Sequence, residues 1–213
     1  MTLLHVIRPT CVPLAELEQT ARTVVRALRS RRPDLKVAVI GGLARIHYSP
    51  EGRFTTDVDF LIDDNEEETT LLKNSIAGPI GFAIDGAGEL YRDSKSLQGE
   101  AARMHVHLIA RELCPYVPIG TLELRQMPTT DPDYIPYIAL PDLILFKIHA
   151  CPRRDRYKRA VDATDAEVLL TLANTPLTLT SDQKVVAWNG LEAVLEERPL
   201  TERSWWMREL NLP

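Results

Sequence analysis

The sequence has few cysteines and no long apolar run, and these two absences exclude several classes of protein. Cys11, Cys114 and Cys151 are widely spaced and odd in number, which fits neither a disulfide framework nor a zinc site built from close cysteine pairs. Apolar runs such as ALPDLILF are far shorter than the roughly 20 residues that cross a bilayer. The opening MTLLHVIRPT has no signal-peptide architecture. We therefore expect a cytoplasmic protein with reduced thiols and no membrane partner.

The overall charge is also not that of a nucleic-acid-coating protein. The 213 residues are 45% apolar and 26% charged, with a net charge of -5, as in an ordinary globular protein with one sizeable core. A negative chain disfavours a large nonspecific nucleic-acid surface. The basic stretch PRRDRYKR, residues 152–159, could still bind phosphate locally, although a solvated turn between helices is the simpler interpretation.

The apolar spacing predicts an α+β front part followed by helices. A helix is expected over 14–31, a buried strand over 36–40, a hairpin around Asp85-Gly86, and strands in TTDVDFLID and ARMHVHLIA. After residue 140 the spacing is helical. We expect a small mixed sheet flanked by helices over 1–140 and a C-terminal helical region over 141–213. Composition leaves open whether that region is a separate domain.

Two aspartates lie one residue apart inside the apolar run TTDVDFLID. Because side chains alternate along a strand, Asp57 and Asp59 should point to one face, with Cα atoms about 6.5 Å apart. Two like charges there are costly unless a cation lies between them. Mg²⁺ prefers a few carboxylate oxygens together with water and substrate phosphate. The alternative is a strand end that exposes its acids to solvent.

A glycine pair precedes these aspartates by about 15 residues. Gly41 and Gly42 stand between the predicted strand 36–40 and a short helix. Glycines at such a junction let the backbone approach a phosphate and direct helix N-terminal N–H groups toward it. A tight turn without a ligand is the alternative. The two motifs together favour one surface that binds a triphosphate and its metal.

These motifs resemble the signature of the DNA polymerase β-type nucleotidyltransferase superfamily. The resemblance is closest to its minimal members and to abortive-infection nucleotidyltransferase-like toxins, and covers about residues 36–170. It rests on GGLA at 41–44, on Arg53 followed by TTDVDFLI at 55–62, and on LPDLILFKIHA at 140–150 with Lys158, Asp162 and Asp165.

The resemblance implies a small mixed sheet flanked by helices and a magnesium-dependent nucleotide transfer. Asp57 and Asp59 would be the catalytic metal ligands for Mg²⁺ on a nucleoside triphosphate. The residues that would bind the nucleotide are Gly41, Gly42, Arg53, Thr56 and Lys147. Pyrophosphate would be released when the nucleotide passes to a hydroxyl group of a small molecule, an RNA or a protein.

One position departs from the family pattern. Active members usually carry a third carboxylate on a later strand, and the corresponding position in MHVHLIA is His107. A neutral imidazole can accept a proton near neutral pH, but it prefers softer ions than Mg²⁺. Asp85 and Glu112 are the alternative acids, and His105 with His107 could form a soft-metal pair.

Three functions therefore remain open from the sequence. The first is a nucleotidyltransferase in which His107 acts at the third position. The second is a nucleotide-binding protein that has lost turnover. The third is an interaction module whose tail, with Trp205 and Trp206, docks a partner. The alternative is that the two tryptophans are core residues or self-association anchors.

Overall fold

The computed structural model describes residues 11–51, 54–128, 131 and 133–213. It confirms an α+β fold with a mixed sheet flanked by helices. The helices are α1 Leu14–Arg31, α2 Gly41–Tyr48, α3 Glu66–Ile76, α4 Leu140–Ala150, α5 Arg156–Ala173, α6 Ser181–Glu197 and α7 Arg203–Glu209. The strands are β1 Val37–Ile40, β2 Asp57–Ile62, β3 Ala83–Ile84, β4 Leu90–Lys95 and β5 Ala101–Ala110.

The sheet has the order β1-β2-β5-β4-β3, so β2 lies between its antiparallel partner β1 and its parallel partner β5. The remaining pairs, β5 with β4 and β4 with β3, are antiparallel. In this register Asp57 lies opposite His105, and Asp59 lies opposite His107. The sheet therefore brings the predicted aspartates and histidines onto neighbouring strands.

One face of the sheet forms the core. Val58 and Phe60 of β2 and Val106 of β5 are fully buried, and α1 and α3 contact this part of the chain. The amphipathic spacing of α1 buries Leu17, Val24, Leu28 and other apolar residues of the same face. The residues of β2 and β5 that alternate with this core project to the opposite face of the sheet.

Local sequence signals account for the helix starts. Asn65 caps α3 by accepting a hydrogen bond from the N–H of Glu68, and three glutamates occupy its first turn, where carboxylates favour the positive end of the helix dipole. The predicted capping box of Thr180 and Gln183 is present at the start of α6. Pro141 lies in the first turn of α4, where its missing N–H is not needed.

The C-terminal helices pack on one another, and α4 and α5 pack on α2. Their buried apolar residues belong to the same hydrophobic cluster as those of the sheet. Gly190 of α6 allows close approach to α4, because a Cβ there would lie 2.3 Å from the carbonyl oxygen of Ile148. Trp206 is fully buried and Trp205 packs against the core. The division into 1–140 and 141–213 stays a prediction.

No disulfide joins the three cysteines. Cys11 and Cys151 are buried and Cys114 is half-buried, and burial raises the pKa of Cys114 and that of Cys151 to about 12. These two thiols are therefore protonated at neutral pH and poor nucleophiles. Among the helices of the described residues, none is both long enough and apolar enough to cross a membrane.

Candidate functional site

Asp57 and Asp59 lie on the face of β2 that points away from the core. Both side chains are partly exposed, at 39% for Asp57 and 20% for Asp59, whereas Val58 between them is fully buried. The alternation of the strand thus places both carboxylates on one face, as the sequence predicts. Asp57 is the more open of the two.

Asp59 is held between a histidine and a glycine. The ring nitrogen Nδ1 of His107 lies 2.8 Å from Oδ1 of Asp59, which makes a charge-assisted hydrogen bond when the imidazole is protonated. This hydrogen bond is the main cause that raises the pKa of His107, with the carboxylates of Asp57 and Glu89 acting in the same direction against burial. The contact with Asp59 therefore favours the protonated imidazole at the position where the resemblance implies an acid.

The other oxygen of Asp59 faces the glycine pair. A Cβ on Gly41 would lie 2.0 Å from Oδ2 of Asp59, and Gly41 has a φ of +67°. A Cβ on Gly42 would lie 2.7 Å from the hydroxyl oxygen of Thr55. A side chain at position 41 would therefore collide with Asp59, and one at position 42 would collide with Thr55. The structure brings the two sequence motifs into direct contact.

Asp57 has weaker protein contacts than Asp59. The hydroxyl of Thr56 donates a hydrogen bond of 3.1 Å to Oδ1 of Asp57, and Nδ1 of His105 lies 3.7 Å from the same oxygen. Thr56 thus lies beside Asp57, and its role in nucleotide binding stays a prediction. Its hydroxyl orients Asp57.

Of the other predicted site residues, Lys147 does not lie on this face. Arg53 lies outside the described residues. Lys147 is buried, and its ammonium contacts Asp162 at 2.7 Å and Asp165 at 2.9 Å instead of Asp57 or Asp59. Its role in nucleotide binding stays a prediction that these contacts do not support.

The alternative acids also lie elsewhere. The carboxylate of Asp85 accepts hydrogen bonds from the N–H groups of Ala87 and Glu89, which confirms its place in a hairpin turn. Glu112 lies 3.7 Å from Arg111 just beyond β5. Within the described part of the chain the recorded contacts of the aspartate pair on β5 are His105 and His107, and the assignment of His107 to the third position stays a prediction.

Arg45, which links α2 to α5, was not identified from the sequence. Its guanidinium lies 3.3 Å from Asp165 of α5 and donates hydrogen bonds to the carbonyl oxygens of Ser49 and Glu51 in the segment after α2. Arg45 is only 6% exposed. The signal that could have identified it is the one-turn spacing of Asp162 and Asp165 on a buried helix face, since buried carboxylates require cationic partners.

The donor set fits magnesium only in combination with a substrate. Among the described residues, no group of three or more His, Cys, Asp and Glu side chains is arranged to hold a metal ion. The rings of His105 and His107 are parallel, with centroids 6.2 Å apart, and they face Asp57 and Asp59. Two carboxylates on an open face suit a Mg²⁺ ion that takes its other ligands from phosphate and water.

We expect the exchange Gly41→Ala to disturb Asp59 as well as the backbone. The new methyl group would displace the carboxylate from its present position, and φ of +67° is unfavourable for alanine by about 1 kcal/mol. Gly78→Ala is the matched control, because Gly78 has a φ of +72° and no atom within 4 Å of the added Cβ. Urea unfolding should show a loss for Gly41→Ala that exceeds the loss for Gly78→Ala, and equal losses would contradict the close contact with Asp59.

Comparison with solved structures shows a nucleotidyltransferase-like fold. An antigenic nucleotidyltransferase-like protein from Paracoccidioides brasiliensis aligns over 87% of this chain and 89% of its own, with 16% identity and a TM-score of 0.56. No protein-family model and no curated protein sequence matches the chain.

Two further structures align over most of their length but at lower similarity. The antibiotic-resistance factor ANT(2'')-Ia covers 87% of this chain and 98% of its own, with 12% identity and a TM-score of 0.41. The crystal structure of a protein from H. pylori, named as a putative nucleotidyltransferase, covers 89% of this chain and 98% of its own, with 12% identity and a TM-score of 0.31. Only the first similarity is strong enough to support the fold.

Proposed function

We propose that this chain, which has a nucleotidyltransferase-like fold, binds a magnesium nucleoside triphosphate and transfers its nucleotide to an acceptor hydroxyl with release of pyrophosphate. The observation that carries the proposal is the contact between the Asp59 carboxylate and Gly41. This contact puts two acids and a glycine turn at the start of a helix on one open surface.

Each part of that surface has a distinct task. Gly41 and Gly42 let backbone N–H groups at the start of α2 contact the phosphates. Asp57 and Asp59 would hold Mg²⁺, which when bound supplies charge neutralisation of the triphosphate and of the leaving pyrophosphate. Thr56 fixes the orientation of Asp57 through its hydroxyl.

His107 is the residue of this chain that can accept the acceptor's proton. Its Nδ1 is bonded to Asp59, so the other ring nitrogen is the one that can face a ligand. The bond to Asp59 raises the pKa of His107, which makes the imidazole a better base and also increases the fraction that is already protonated. An Asp–His pair of this kind orients one tautomer for proton transfer.

The same bond favours a second candidate, which is nucleotide binding without turnover. A protonated His107 at 2.8 Å from Asp59 provides cationic charge next to one of the two metal ligands. That charge opposes a divalent ion at Asp59. In this case the chain would bind nucleotide and release no pyrophosphate.

The direct test is to incubate the protein with labelled ATP, CTP, GTP or UTP and Mg²⁺, and to measure pyrophosphate and transferred label. Calorimetry with the same nucleotides measures binding without requiring an acceptor. Nucleotide binding that needs Mg²⁺, together with pyrophosphate release, supports the enzyme. Binding without release supports the second candidate, and no binding of any nucleotide rejects both.

The exchange His107→Asp separates the two candidates. It restores the third carboxylate of the family pattern, so a protein that only binds nucleotide should gain pyrophosphate release. If His107 is the working base, the exchange should instead change the pH profile of an activity that the unaltered protein already has. His149→Asp, on α4 beside Arg153 and outside the face of the aspartates, is the matched control and should produce neither effect.

A further inference from the structure

On the open face of the sheet, ring side chains of β5 and β4 lie next to the aspartate pair of β2. On β5, His105 lies opposite Asp57 on one side and opposite Tyr91 of β4 on the other. Residues directly opposite each other on neighbouring strands point to the same face. Asp57, His105 and Tyr91 therefore form one row across three strands.

A guanidinium group completes this row. The guanidinium carbon of Arg103 lies 4.0 Å from the centroid of the Tyr91 ring, which is a cation–π contact. The Arg103 side chain is 49% exposed, and its ion pair with Asp93 is long at 3.9 Å, with Asp93 84% exposed. Such a loose surface pair contributes little stability. The donor edge of Arg103 is thus available to an anion.

We infer that Tyr91, Arg103 and His105 form the subsite for the hydroxyl acceptor and that this acceptor is a nucleoside monophosphate. The inference rests on the proposed function, because it assigns the acceptor to the same face as the aspartates. The base would contact the rings of Tyr91 and His105, and the phosphate would bind Arg103. The ribose hydroxyl would then point toward Asp57.

The dimensions of the row suit one nucleotide. Neighbouring strands are about 4.8 Å apart, so Tyr91 lies about 10 Å across the sheet from Asp57. A single nucleoside lying over His105 would span this distance from the ring to the carboxylate. A nucleobase can stack on Tyr91, His105 or Arg103, because aromatic side chains and guanidinium planes are the groups on which nucleobases stack.

The surrounding charges favour a mononucleotide over a longer nucleic acid. Asp93 borders Arg103. The backbone hydrogen bonds from Glu89 and Ala87 are the main cause that lowers the pKa of Asp85, and the nearby charges of His105 and Arg103 act in the same direction. A chain with many phosphates would meet these acids, whereas one phosphate can contact Arg103 alone. The net charge of -5 acts in the same direction.

The transfer step balances without a further reactant. The ribose hydroxyl oxygen of the acceptor forms a bond to the α-phosphorus of the nucleoside triphosphate. The bond from that phosphorus to the bridging β-phosphate oxygen breaks, and pyrophosphate leaves with the electron pair. The hydroxyl proton passes to His107 or to water. The product is a dinucleotide joined by a new phosphodiester.

The test compares acceptors and variants in one transfer assay. AMP, GMP, CMP and UMP, a ten-residue oligoribonucleotide and a serine- and tyrosine-containing peptide are each offered with labelled nucleoside triphosphate and Mg²⁺. We expect a labelled dinucleotide with at least one monophosphate. Tyr91→Ala and Arg103→Ala should each raise the KM for that acceptor by about tenfold or more, as for loss of one stacking or phosphate contact. The KM for the triphosphate should not change.

Arg92→Ala is the matched control. Arg92 follows Tyr91 on β4 but lies opposite Met104, which is buried on the other face of the sheet. The control should leave both KM values unchanged. Calorimetry with the monophosphates covers the case of a protein without turnover: binding that is lost in Arg103→Ala and kept in Arg92→Ala supports the subsite.

The outcomes distinguish this inference from the proposed function. If the protein binds no nucleoside triphosphate, the proposed function fails and the acceptor assignment fails with it. If it binds the triphosphate but transfers only to the oligoribonucleotide or the peptide, the acceptor assignment alone is wrong. Monophosphate binding that is insensitive to Tyr91→Ala and Arg103→Ala also overturns it.

Discussion

Replacing Asp57 by asparagine is expected to lower nucleotidyl transfer about 10²- to 10³-fold, because the amide keeps the shape of the carboxylate and removes the charge that holds Mg²⁺. A loss of that size corresponds to about 3–4 kcal/mol of transition-state stabilisation. The measurement is the initial rate of pyrophosphate release at saturating triphosphate and Mg²⁺. If turnover is absent, the readout is the loss of magnesium-dependent nucleotide binding by calorimetry.

Asp59→Asn should cause a loss of similar size with one additional effect. Asp59 carries the hydrogen bond to His107, so the exchange removes the main cause of the raised pKa of that imidazole. The pKa of His107, followed by NMR, should fall in Asp59→Asn. In Asp57→Asn it should fall less, since Asp57 acts on His107 only through its charge.

Asp63→Asn is the matched control for both exchanges. Asp63 immediately follows β2, and its carboxylate lies 3.6 Å from Arg111, away from the glycine pair. This exchange also removes one negative charge but should leave activity within a factor of about two. If Asp63→Asn lowers the rate as strongly as Asp57→Asn, the effect comes from general charge and the two-carboxylate site is wrong.

The sequence predicts most of the fold because its local signals agree with one another. The apolar spacing of α1, the Asp85-Gly86 turn and the capping box of Thr180 all depend on residues that are close in the chain. The alternation in β2 likewise follows from strand geometry. These features need no knowledge of tertiary contacts.

Strand order and the partners of charged side chains are less accessible from the sequence. The contact between His107 and Asp59 depends on the parallel register of β2 and β5, which are separated by α3 and two strands. The row formed by Tyr91 and Arg103 depends in the same way on the pairing of β4 with β5. These strand pairs join residues that are far apart in the sequence. Hydrophobic periodicity predicts a strand but does not predict which strand it pairs with.

The position of Lys147 shows the limit of a motif. On the resemblance alone, Lys147 is a nucleotide-binding residue at the centre of an amphipathic helix. In the structure it is 6% exposed and lies between Asp162 and Asp165. A short motif identifies the residue type that is needed, but only packing shows which atoms it contacts.

Lys147→Met is expected to destabilise the protein by about 3–5 kcal/mol. Methionine has nearly the same volume as lysine, so the change mainly removes the positive charge beside the buried carboxylates of Asp162 and Asp165. Removing one partner from a buried ion pair typically costs this amount. Arg45 at 3.3 Å from Asp165 and Arg154 at 3.6 Å from Asp162 retain part of the compensation. The measurement is the free energy of unfolding in urea.

Two further variants decide what Lys147 does. Lys158→Met, at an exposed position of α5, should change the stability by less than about 0.5 kcal/mol. The double exchange of Lys147→Met with Asp162→Leu should recover part of the loss, because an apolar replacement also removes one of the uncompensated charges.

A variant Lys147→Met that keeps its stability but binds the nucleoside triphosphate more weakly would contradict the structural role and restore the role that the motif implies. Because Asp165 also contacts Arg45 of α2, a structural role for Lys147 predicts that loss of stability and displacement of α2 occur together.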